Sequence, residues 1–302
     1  MDLTKGVIAV LVAVNVAFVV GWLAARRRYG LRGWPQLPDV AIGALTTFLD
    51  TLGIGSFAPT TALLKFRGKV ADELIPGTLN VGLNGAAFVE TIGLIGLVDV
   101  QPALLASMVG ASAVGAWLGA GVVSRMPRRS IQLFMGAALL IAATFFAMKN
   151  LNAFPADGAA FGLAGWKFPF AVAVSFVLGA LMCVGIGNYA PLTILLSLLG
   201  MAPISAYPIM MASDGLLQPV ASLGFFRSGR FSHVASLGLT LGSCVGVPLA
   251  LIVLKMVLGW SGGVRVIRWG VTAVVIYAAV SMLRSAHRER AAARAAAAAV
   301  SH

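Results

Sequence analysis

Charge is what this chain has least of. Only 11% of its 302 residues are Asp, Glu, Lys or Arg, while 59% are hydrophobic. Mean hydropathy is +0.94. A soluble domain carries about 25% charged residues, so there is too little polar surface here to cover one. Cysteine is nearly missing. Cys183 and Cys244 lie in apolar runs, with no CxxC and no disulfide framework. Histidine is confined to His233, His287 and His302, and no pair has metal-ligand spacing. A GxxxxGK[ST] phosphate loop is absent. No nucleophile, base and orienting group can be assembled, so an enzyme is not expected, nor a cofactor. Collagen-like and disordered classes fail on composition. What remains is an all-α polytopic membrane protein.

The charges that do occur are mostly basic, giving a formal net charge of +12. In a soluble chain that would suggest a nucleic-acid partner. Here it reads as basic loops at one membrane face, with no nucleic acid involved.

A bilayer core of about 30 Å takes around 20 apolar residues as a helix. Nine apolar segments are found. Seven read as full spans, near 6–25, 73–98, 102–124, 130–148, 204–226, 233–257 and 266–285. The first is expected to be a retained helix, because no small-residue cleavage site follows it. Two more, 38–64 and 169–199, carry glycine and proline at their centres. Each would make two half-helices, too short singly to cross.

Basic clusters set the orientation: Arg26, Arg27, Arg28 and Arg32; Lys65, Arg67 and Lys69; Arg125, Arg128 and Arg129; Arg227 and Arg230; Arg284, Arg288, Arg290 and Arg294. All five share the cytoplasmic face only if each broken segment enters and leaves on one side. The first hairpin then dips in from the cytoplasm. The second, flanked by Asp157 and Lys167, dips in from outside. The alternative, full crossing, would put Lys65, Arg67 and Lys69 outside.

The broken segments are copies of one another. GIGSFAPTTALLKFRG, from Gly53 to Gly68, aligns without gaps on GIGNYAPLTILLSLLG, from Gly185 to Gly200, an offset of 132. The register continues from Pro76 to Pro208 and from Gly110 to Gly242. Self-similarity at a fixed offset marks a duplicated unit. With the opposed entry sides, it predicts two inverted repeats, the pattern of secondary transporters with broken helices at a midplane site. The domains follow: 1–34, first helix and basic loop; 35–149, repeat 1; 150–167, linker; 168–285, repeat 2; 286–302, a basic, alanine-rich cytoplasmic tail lying near anionic headgroups.

The GIGxxAP motif has a clear physical use. Gly53, Gly55, Gly185 and Gly187 permit backbone shapes closed to other residues and let a ligand approach the main chain. Pro59 and Pro191 suit the first turn of the following half-helix. Ser56 and Asn188 are good cap types. Free N–H groups and the positive dipole ends would then face the tips, an anion cradle needing no intramembrane Arg or Lys. Tyr189, Thr61 and Thr193 would add side-chain contacts. The plainer reading is that glycine and proline only kink and pack helices.

The duplicated hairpins, the length and the glycine-rich following helices resemble the sulfite exporter TauE/SafE family of anion transporters, from about Gly43 to the last span. Ser56 and Asn188 stand where that family commonly has glycine. The resemblance implies secondary transport of sulfite, thiosulfate, an organosulfonate or a related organic anion.

Three acids lie well inside apolar segments: Asp50, Glu90 and Asp214. Intramembrane acids are costly and are functional candidates by default. Asp214 starts a stripe with Gln218 and Ser222 on one helical face, and Asn80 and Asn84 form a similar pair. Asp50 or Asp214 could couple protons, and Asn80, Asn84 and Gln218 could support the site. A protonated, hydrogen-bonded structural acid is the alternative. Glu90, nearer a helix end, is expected to reach the interface. With what the resemblance implies, the expected function is an exporter of a small sulfur-containing anion, with membrane lipid, the anion and coupled protons as partners. It is expected in a bacterial inner membrane with a cytoplasmic C-terminus. A passive channel or uniporter, and a cation carrier using Asp50, Glu90 and Asp214, are the alternatives.

Overall fold

A computed structural model describes residues 3–52, 54–94, 100–151, 153, 160–185, 187–256 and 261–300. Gly53, Ile186, Asp157, His302 and residues 95–98 of the second expected span lie outside them. Eleven α-helices are described: α1 Leu3–Arg28, α2 Leu37–Thr51, α3 Phe57–Arg67, α4 Ile75–Leu94, α5 Pro102–Val123, α6 Arg128–Asn150, α7 Lys167–Met182, α8 Tyr189–Leu198, α9 Pro203–Ser228, α10 His233–Met256 and α11 Ser261–Val300. A 3-10 turn, Asp72–Leu74, precedes α4. Apart from one isolated bridge, Ala160 to Met201, no β pairing occurs among the described residues.

Among the described residues six helices are long and apolar enough to cross a bilayer: α1, α5, α6, α9, α10 and α11. This is the make-up of a multi-pass membrane protein. α4 is not among these six, because it carries Thr78, Asn80, Asn84, Glu90 and Thr91, all buried; the expected span 73–98 runs past its described end at Leu94. Its polarity is turned inward, against α9, α10 and α2, so it needs no apolar coat of its own. The basic tail continues α11 as helix without a break.

The two glycine-proline segments break where expected. α2 and α3 run antiparallel. Thr60 Oγ1 donates to Thr46 Oγ1 at 2.8 Å halfway along, and Arg67 at the end of α3 pairs with Asp39 and bonds Gln36 at the start of α2. At 15 and 11 residues both fall short of about 20. α7 and α8 behave alike: Lys167 at the start of α7 donates to the Leu199 carbonyl, just past α8, at 2.8 Å.

Helix pairing follows a pattern. α2 packs along α10, and α7 packs along α5. Shifting α2 and α5 by 132 residues gives α7 and α10, so one pair maps on the other. α4 with α9, and α6 with α11, map on themselves. Close approach is made by glycine. Gly242 faces the Val40 carbonyl and Gly246 that of Ala44; Gly115 faces the Phe176 carbonyl and Gly179 that of Ser112. No side chain fits between these backbones, so each tip helix is held along its length.

One end of the bundle gathers many of the basic residues. Lys65 bonds both oxygens of Asp72 at 2.7 Å and the Ser285 hydroxyl of α11 at 3.2 Å. Arg128 reaches Asp72 and Glu73, and Gln132 donates to Asp72 at 2.8 Å. Tyr29 donates to the Arg227 carbonyl, and Arg230 to that of Met126. The starts of α4 and α10 join there, where the Ser232 N–H donates to Thr78 Oγ1. α2 and α3 open towards this end. α7 and α8 open towards the other, where Gln101 receives the Leu163 N–H and its own N–H reaches the Phe161 carbonyl.

Candidate functional site

The two helix breaks meet tip to tip. A Cβ on Gly187 would stand 3.6 Å from Phe57 Cβ. A cavity of about 30 Å³ lies against the tips, lined by Ile54, Gly55, Phe57 and Ala58 of the first, Gly187 and Pro191 of the second, and α6. That is room for a water or two. Gly55 sits at φ +92° and Gly185 at φ +102°, in the left-handed region where side chains are strained. These two positions therefore need glycine.

Each break ends in a helix N-terminus. Pro59 is the third residue of α3 and Pro191 the third of α8, where the missing N–H breaks no bond. Thr60 N–H donates back to Ser56 and Leu192 N–H to Asn188. Helix geometry leaves the N–H groups of residues 57 and 58, and of 189 and 190, without intrahelical acceptors.

The expected side-chain capping is corrected. Ser56 and Asn188 do occupy the two cap positions, but neither side chain caps its helix. Ser56 donates its hydroxyl to Asp50, which also takes the Ser56 backbone N–H. Asn188 Nδ2 donates to Asp214 Oδ1 at 3.3 Å. Both side chains turn to the nearby acids as donors, in charge-assisted bonds, and Asn188 Oδ1, the acceptor a cap would use, is left without a partner.

Glu90 is also corrected. It is 3% exposed, bonds Thr51 Oγ1 at 2.7 Å, and interacts electrostatically with Asp50 and Asp214. It lies deep because the next residue, Thr91, docks on the Met211 carbonyl at 2.5 Å, against α9. The three intramembrane acids therefore surround the tips. Among the described residues no three His, Cys, Asp or Glu side chains come close enough to hold a metal ion, so joint ligation by Asp50, Glu90 and Asp214 does not occur in this conformation.

The remaining expected residues divide. Thr61 is fully buried and its hydroxyl has no partner. Thr193 donates to Met210 Sδ at 3.0 Å. Asn84 donates to Asn15 Oδ1 at 2.9 Å, and Asn80 to the Pro76 carbonyl at 2.9 Å. Gln218 is buried one turn after Asp214. The Tyr189 side chain and Gly53 lie outside what is described. Sequence reasoning missed Thr51, Thr46, Thr60 and Asn15. A signal existed for Asn15: it is the one carboxamide in an otherwise apolar first helix.

Comparison with known protein families, with curated proteins and with solved structures finds no match.

Proposed function

We propose that this chain is a secondary transporter, an exporter, of a small sulfur-containing anion such as sulfite, thiosulfate or an organosulfonate. The observation that carries the reading is the meeting of two helix breaks from positions 132 residues apart, each delivering a helix N-terminus. Two such ends supply four N–H groups and two positive dipole ends without a basic side chain. The basic side chains of α3, Lys65 and Arg67, are engaged at its far end with Asp72 and Asp39. The substrate class rests on the resemblance to the sulfite exporter family.

The exchange of helix partners supports reading the chain as two inverted repeats with re-entrant hairpins, opening to opposite membrane faces. Such repeats work by alternating access around a fixed central site. The cavity between the tips and α6 offers a place where such a site would form. Because α2 is held by α10 and α7 by α5, the natural moving bodies are these crossed pairs with their tips, not the two sequence halves. The cluster of Lys65, Arg67, Arg128 and Arg230 favours a cytoplasmic face for that end.

The test is uptake of labelled sulfite, thiosulfate and a short sulfonate by proteoliposomes, with and without an imposed pH gradient. Saturable uptake of one of them supports the reading. Flux that never saturates favours a passive pore. Silence for all three, with uptake of a labelled cation, overturns the anion assignment.

A further inference from the structure

Four carboxamide oxygens sit buried around α4 and α9 with no hydrogen-bond partner in the protein: Asn80 Oδ1, Asn84 Oδ1, Gln218 Oε1 and Asn188 Oδ1. Their residues are 0–2% exposed. Carbonyl oxygens can only accept. Left alone in a protein interior they are costly, so each calls for a donor. The donors that fit between such groups are water and its protonated form.

Hydrogen bonds and helix register connect their residues. Asn188 bonds Asp214. The next residue of α9, Gly215, gives its carbonyl to Asn15 at 3.2 Å, and Asn15 receives Asn84 at 2.9 Å. Gln218 follows Asp214 by one turn of α9, and Asn80 precedes Asn84 by one turn of α4. From Asn80 the start of α4 leads to Thr78, Ser232 and Ser236. That is the end where Lys65 and Arg67 lie.

Near Asp214 this chain of contacts approaches Glu90, which interacts electrostatically with Asp214. The Thr51 hydroxyl lies 2.7 Å from Glu90 Oε1 and 3.0 Å from the Thr47 carbonyl. It has one proton for two acceptors. If Glu90 carries a proton, the carboxylic acid donates to Thr51, and Thr51 donates to Thr47; both bonds are then made. Asp50 differs, taking two donors from Ser56, which suits an ionised carboxylate. The titratable groups facing Glu90 are Asp50 from α2 and Asp214 from α9. Among the described residues, α1, α3 and α10 place Arg26, Arg27, Arg28, Lys65, Arg67 and His233 at the basic end, Cys244 midway along α10, and Lys5 and Lys255 at the opposite ends of α1 and α10.

We propose that Glu90 is a proton-binding residue beside the helix breaks, and that it exchanges its proton with the basic end through the hydrated seam of Asn84, Gln218 and Asn80. Hydronium gives its proton to the Glu90 carboxylate and leaves as water; no other bond changes. The inference rests on the transporter reading for its purpose: a neutral Glu90 lets an anion approach the tips, and an ionised one repels it.

The test needs no substrate, so its failure is separable from failure of the anion assignment. The purified full chain in detergent is studied by infrared difference spectroscopy at neutral pH, reading the carbonyl stretch of protonated carboxylic acid and its rate of exchange into heavy water. The wild type should show the band, and Glu90→Gln should remove it. Thr51→Val should keep it but shift its frequency, a second handle should Glu90→Gln fail to fold. Asn84→Leu with Gln218→Leu should slow exchange at least tenfold with the band intact. A wild type without the band, a band that survives Glu90→Gln, or a Thr51→Val spectrum identical to wild type overturns the proton site. Unchanged exchange in the double variant overturns the route.

Discussion

Helix α5 contains two kinds of glycine, and substituting alanine at each measures how tightly the tip helix α7 is held. A Cβ on Gly115 would lie 1.9 Å from the Phe176 carbonyl oxygen and 2.9 Å from its carbon. Ordinary contact begins near 3.4 Å, so α7 must retreat by about 1.5 Å. Backbone cannot rotate aside as a side chain can. Overpacking then costs towards the upper end of its usual range, about 3 kcal/mol. Helix propensity returns about 1 kcal/mol on replacing glycine by alanine. The expected net loss for Gly115→Ala is about 2 kcal/mol. Gly110 and Gly121 lie in the same helix with nothing within 4 Å of an added Cβ. There the propensity gain stands alone, so Gly110→Ala and Gly121→Ala should be neutral or stabilised by up to about 1 kcal/mol. Thermal unfolding of the purified protein in detergent, followed by tryptophan fluorescence, reads the contrast as separate midpoints. Gly246→Ala, 2.2 Å from the Ala44 carbonyl, should match Gly115→Ala, because it tests the corresponding helix pair, α10 and α2. If Gly115→Ala melts with Gly110→Ala, the glycine contact does not hold α7, and the crossed pairing loses its energetic meaning.

Three further outcomes are expected. Ser56→Leu and Asn188→Leu should each weaken anion binding at least tenfold, with the melting temperature little changed; wild-type affinity in both would remove the tips as the site. Lys65→Met should destabilise by about 1–3 kcal/mol, because Asp72 is buried and loses two charge-assisted bonds; chemical denaturation of the variant beside wild type checks it. In a cysteine-free background, Trp166→Cys should react with an impermeant maleimide on intact cells, while Trp34→Cys and Lys69→Cys should react only after permeabilisation. Lys69→Cys labelling with Trp166→Cys would refute a re-entrant first hairpin.

Much of the fold is legible because glycine, proline and length are local signals. Both breaks, the 132-residue register and six long apolar helices follow from them. α4 was less legible. Its hydropathy alone suggested a span, but Asn80, Asn84 and Glu90 are tolerated because neighbouring helices surround it. The burial of Glu90 could not be read from its place along the helix, since Thr51 and the contact of Thr91 with α9 cover it through tertiary packing. At the site, cap-type residues were correctly placed at the tips. What they bond was not readable, because Asp50 and Asp214 reach Ser56 and Asn188 through tertiary folding. The partner exchange between α2 and α10 was equally hidden, since no local pattern names a helix about 200 residues away.

That exchange has a consequence for biogenesis. Asp39 of α2 is made 199 residues before Gly238, which it meets in α10. At about 5–20 residues per second, roughly 10–40 s pass between them. Throughout that interval α2 lacks the helix that forms its main packing partner. Neither half of the chain contains the partner that its own tip helix needs. Truncation after α6 should therefore yield a fragment that is degraded, not a stable half, and co-expressed halves should rescue one another.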